Sequence, residues 1–117
     1  MGVLEAERIS GTDRRWWPRA TVALPVRVVD TEGGFGVLSG ETLNLSAGGL
    51  KAQFDGPLPG TDAVTLQLDL LGDQALVCEA LIAGGGASGG RWEYGLAFQN
   101  LEPHEVNALE HLVDQCL

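Results

Sequence analysis

From Thr21 onward, apolar and polar residues alternate in short runs separated by turn-forming residues. Val22, Leu24, Val26 and Val28 fall two apart and are mostly β-branched, which predicts a first strand. Pro25 inside that run, lacking an N–H, points to an edge position or a bulge. After a turn at Glu32–Gly36, a second strand is expected from about Val37 to Leu43, and Leu50, Ala52 and Phe54 mark a third. Val64, Leu66, Leu68 and Leu70 alternate cleanly in a fourth, and a fifth is expected over Ala75–Ala83. Gly84–Gly90 reads as a flexible hairpin loop before a sixth strand, Arg91–Asn100, with Trp92, Tyr94, Leu96 and Phe98 on one face.

The period then changes. Val106, Leu109, Leu112, Val113 and Cys116 recur three and four apart behind Pro103, a residue suited to a first helical turn. Six short strands closed by one amphipathic helix predict an all-β fold, a small six-stranded antiparallel β-barrel with a C-terminal α-helix. Residues 1–13 show neither period and are expected to be a flexible lead-in, with 14–117 a single domain. At 117 residues the chain can bury one core without staples.

Charge narrows the partners. The formal net charge is −9, but Arg8, Arg14, Arg15 and Arg19, four of the seven basic residues, lie in the first nineteen positions. The remainder carries Arg27, Lys51 and Arg91 against thirteen acids. A body so acidic repels polyphosphate, so duplex DNA or long RNA is not an expected partner, whereas a small anion held by the N-terminal arginines is. The longest apolar runs fall far short of the roughly 20 residues of a membrane span, and the first residues lack the basic start of a secretory signal. The expectation is a cytoplasmic protein without membrane insertion, its Cys78 and Cys116 reduced thiols.

Candidate chemistry is sparse. His104 and His111 are seven residues apart on the expected helix, or about 10.5 Å, too far to share a metal. No nucleophile motif is present, so neither a metal, a cofactor nor an enzymatic activity is expected. Gly84-x-Gly86-x-x-Gly89 matches a dinucleotide fingerprint literally, but a strand rather than a helix should follow it.

Two other motifs carry more. Arg15-Trp16-Trp17-Pro18-Arg19 has the form RxxxR, preceded by Arg14, and its guanidinium forks suit phosphates and guanine edges. Asn44-Leu45-Ser46-Ala47-Gly48-Gly49 has the form [D/N]xSxxG, a turn offering an amide, a hydroxyl and backbone N–H groups. Together, in this order, they resemble the PilZ domain, the bacterial receptor module for cyclic di-GMP. The resemblance runs from about Arg14 to Leu117 and implies the same barrel fold. It implies cyclic di-GMP as the ligand and Arg14, Arg15, Arg19, Asn44, Ser46, Gly48 and Gly49 as its site. In the family the arginine segment wraps over the ligand, and an arginine at the position of Arg14 is associated with an intercalated pair of ligand molecules. The family often has Asp where this chain has Asn44. Trp16 and Trp17 either anchor the segment or stack on a purine, and Trp92 is read as core. A receptor of this kind is expected to signal to an effector protein. The alternative is a nucleotide-independent adaptor, as some PilZ-like domains in pilus assembly are.

Overall fold

The computed structural model describes residues 18–30, 36–58 and 62–117. The expected lead-in, Arg14, Arg15, Trp16, Trp17 and most of the Glu32–Gly36 turn lie outside them. Six strands are formed: β1 (Pro25–Asp30), β2 (Gly36–Leu45), β3 (Gly49–Phe54), β4 (Ala63–Asp69), β5 (Ala75–Ser88) and β6 (Arg91–Gln99). They close in the order β1-β2-β3-β6-β5-β4, every neighbour antiparallel. One helix, α1 (Pro103–Cys116), follows.

Period explains most of this. Val64, Leu66 and Leu68 of β4 point inward, as do Val26 and Val28 of β1 and Leu50, Ala52 and Phe54 of β3. Leu109, Leu112 and Val113 of α1 join the same core. Its entry is fixed by Glu105, whose Oε1 accepts the Glu102 N–H at 2.8 Å, satisfying a donor at the helix start. Trp92 is half-buried and packs against the core, and Tyr94 lies 6.3 Å from Phe54, ring to ring.

Two expectations are corrected. The first strand starts at Pro25 rather than Thr21, at the beginning of a ladder in a closed barrel rather than on an edge. Residues before it are held differently. Ala20 forms a lone antiparallel bridge with Leu45, with N–H···O bonds of 2.9 Å in both directions. Between bridge and strand, Thr42 replaces part of the ladder with its side chain. Its hydroxyl accepts the Leu24 N–H at 2.8 Å and donates to the Val22 carbonyl at 2.5 Å, and its own N–H donates to the Leu24 carbonyl at 2.9 Å. Thr42 is fully enclosed, one of two buried polar residues among those described.

The second correction concerns Gly84–Gly90. Only Gly89 and Gly90 turn; Gly84 to Ser88 continue β5, paired in register with Arg91–Gly95. An irregularity between Ile82 and Gly84 shifts the phase, so Gly84 and Gly86 share the outer face with Glu93 and Gly95. Gly85 is the exacting position: its φ is +132°, and a Cβ there would sit 2.1 Å from the Glu93 carbonyl oxygen.

Candidate functional site

The Ala20 bridge and the Thr42 hydroxyl bring the N-terminal segment across the end of β2, and this delivers Arg19 to Asn44. Arg19 Nη1 donates to Asn44 Oδ1 at 2.5 Å, an exposed contact joining residues 25 apart in sequence. Asn44 follows an irregularity in the β2–β3 register, so it shares the outer face with its partner Lys51. The two motifs thus meet.

The rest of the second motif is turned to structure. Ser46 is fully buried; its hydroxyl accepts the Gly48 N–H at 3.1 Å and donates to the Gly49 carbonyl at 3.2 Å, while its backbone N–H donates to the same carbonyl at 2.8 Å. The Gly48 carbonyl accepts the Phe98 N–H at 3.0 Å, tying the turn to β6. Gly49 packs so closely on β6 that a Cβ would lie 2.3 Å from the Leu96 carbonyl oxygen. Ser46, Gly48 and Gly49 together fix the turn that follows Asn44.

Arg19 and Asn44 stand at one side of a cleft of about 580 Å³ on the outer surface of β3, β6 and β5. Lys51, Glu93, the Gly84–Gly86 stretch and Gly95 complete its walls. Lys51 and Glu93 form an ion pair, Nζ to Oε1 at 3.7 Å. A Cβ placed on Gly84, Gly86 or Gly95 would meet nothing within 4 Å, so the floor is bare backbone open to the cleft. Two cations, one carboxylate and a side-chain-free floor make a surface suited to a flat, anionic ligand. No group of His, Cys, Asp or Glu among the described residues is arranged to hold a metal.

Sequence reasoning missed Lys51, Glu93 and the glycine floor. Charged residues on exposed strand faces read as ordinary solvated surface, and only the barrel register brings β3, β5 and β6 side by side. A usable signal did exist: Lys51 lies two residues beyond Gly49, on the same face of β3.

The PilZ domain family model matches residues 13–115. The chain belongs to the PilZ domain family. Solved structures share the fold. The Bacillus subtilis inhibitor of motility MotI/DgrA superposes with a TM-score of 0.74 at 17% identity over 89% of this chain, which spans only 51% of that protein. The Escherichia coli YcgR PilZ domain, solved with c-di-GMP, gives 0.68 at 14% identity over 89% of this chain and 92% of that one. The PilZ domain of CeSA from a cellulose-synthesizing bacterium gives 0.60 at 21% identity, covering 84% and 96%. No functionally curated protein matches this PilZ chain. No helix among its described residues is long and apolar enough to cross a membrane.

Proposed function

We propose that this PilZ domain is a cyclic di-GMP receptor that binds the dinucleotide without turnover and passes the signal to an effector protein. The observation that carries the reading is the Arg19–Asn44 contact, which unites the RxxxR and NxSxxG motifs beside an open, glycine-floored cleft. Arg19 engages a phosphate or guanine edge, Asn44 offers its amide, and Arg14 and Arg15 supply further guanidinium groups from the preceding residues. Ser46, Gly48 and Gly49 contribute by holding the turn beside Asn44. The ligand contacts must outweigh about 1–2 kcal/mol of backbone entropy for each residue of the RxxxR segment that binding fixes in addition to Arg19. The surface so changed is what a partner reads.

Calorimetric titration with cyclic di-GMP tests this directly. A saturable isotherm is expected, approaching two molecules per chain if Arg14 supports an intercalated pair, and shifting toward one in Arg14→Leu. Arg19→Ala removes charge-assisted hydrogen bonds of about 1.5–3 kcal/mol and should weaken binding tenfold or more. Asn44→Ala loses a neutral contact and should weaken it less. Absence of binding by the unmodified chain refutes the receptor reading and leaves a nucleotide-independent adaptor.

A further inference from the structure

We propose that Glu93 is the carboxylate that reads guanine in this cleft, an inference that rests on the receptor reading above. Glu93 is the one carboxylate among the described residues lining it. Asn44 Oδ1 already accepts from Arg19, which leaves this single amide oxygen one lone pair, too few to take two parallel donors, and its nitrogen only donates. Guanine presents two adjacent donors, N1–H and N2–H2, on its Watson–Crick edge, and the two oxygens of a carboxylate accept both in parallel. Adenine presents an acceptor N1 and one donor there, which the same carboxylate meets with repulsion on one side.

The surroundings favour this role. Glu93 pairs in register with Gly86 and is two residues from Gly95, itself opposite Gly84. With open space where those three side chains would be, a planar base can lie on the strand backbone with its edge at the carboxylate. The Glu93 side chain is 30% exposed, sheltered on one side and reachable on the other. A carboxylate beside a doubly negative ligand needs a counter-charge, and Lys51, 3.7 Å away, supplies it while restraining the orientation of the carboxylate. Glu93 therefore acts on base selectivity, and the arginines act on overall affinity.

Calorimetry on the full chain, unmodified and as Glu93→Gln and Glu93→Ala, tests this with cyclic di-GMP and with cyclic di-IMP, whose bases lack the 2-amino group. The unmodified chain should prefer cyclic di-GMP by about tenfold, the worth of one charge-assisted hydrogen bond. In both variants, melting near the unmodified temperature, that ratio should fall to about threefold or less through weaker cyclic di-GMP binding. A ratio retained in both variants overturns the assignment. Tighter cyclic di-GMP binding by the variants also overturns it, because Glu93 would then be only a repulsive charge. An unmodified chain that binds neither nucleotide overturns the receptor reading itself, a result recognisable before any variant is made.

Discussion

Thr42→Val isolates the device that carries Arg19 to its place. Valine has nearly the shape of threonine, so no cavity opens in a position that is only 1% exposed. What disappears is a hydroxyl with two partners, the Leu24 N–H at 2.8 Å and the Val22 carbonyl at 2.5 Å. The Val22 carbonyl belongs to a half-buried residue and can turn to water. Leu24 is 3% exposed, and its N–H is left buried without an acceptor. An orphaned buried donor costs about 1–3 kcal/mol, and the lost bond to Val22 adds about 0.5–1. A net destabilisation of about 1.5–4 kcal/mol follows, and at about 4 °C per kcal/mol for a domain of this size Tm should drop by about 6–16 °C.

The affinity should fall as well, although Thr42 does not line the cleft. With the hydroxyl gone, residues 20–24 are tied to β2 by the Ala20 bridge and the Thr42 N–H bond to Leu24, and Arg19 reaches Asn44 less often. Urea unfolding, amide hydrogen exchange at Leu24 and cyclic di-GMP calorimetry on the same samples make the assay. Faster Leu24 exchange and several-fold weaker binding are expected. Thr42→Ser, which keeps the hydroxyl and loses one methyl worth about 0.8 kcal/mol, should restore Leu24 protection. A Thr42→Val protein melting within about 1 °C of the original, with Leu24 still protected, would refute the reasoning.

Two further outcomes test other parts of the molecule. Gly85→Ala should unfold the β5–β6 hairpin or cost several kcal/mol, since φ is +132° and the new Cβ would strike the Glu93 carbonyl, whereas Gly84→Ala next to it should melt near the original temperature; thermal melts of the pair check both. Burial, reinforced by Glu105 and Glu79, pushes the Cys78 thiol up to about 11 from 9.0. The native chain therefore keeps a proton that the unfolded chain releases, so stability should decline as pH rises from about 9 to about 11. Urea midpoints across that range should show the decline, and Cys78→Ala should flatten it.

The sequence made the periodic parts legible because a buried face imposes a period. Alternation placed β4 within one or two residues, and the three–four spacing placed α1. The glycine stretch of β5 had no such mark: residues without side chains carry no period, and their strand state comes from pairing with β6. The Thr42 contacts, 18 and 20 residues distant, were invisible for a different reason. A threonine among Ser39, Glu41 and Asn44 gives no hint that its side chain, rather than theirs, completes another segment's ladder. In the site, Arg19 and Asn44 were legible as motif positions, but the burial of Ser46 was not, because a turn that shows its hydroxyl and a turn that consumes it have the same composition.

The pairing chosen for each cation bears on how an acidic chain can hold an anionic ligand. With a net charge of −9, the long-range field opposes a dianion, and the attraction must come from charges within about a Debye length of 8–10 Å. Lys51 is partly neutralised by Glu93. Arg19 is oriented by Asn44, a neutral acceptor, and so is positioned without surrendering its charge. An aspartate at residue 44 would orient the guanidinium more firmly, but an incoming phosphate would then have to compete with a carboxylate for the same donors. With asparagine it competes only with an amide oxygen, whose hydrogen bond to the guanidinium is weaker. The polar residue at position 44 thus sets a balance between preorganising Arg19 and keeping it available. In a chain with few basic residues and a strongly acidic body, the neutral choice keeps at the mouth of the cleft a positive charge that a carboxylate would cancel.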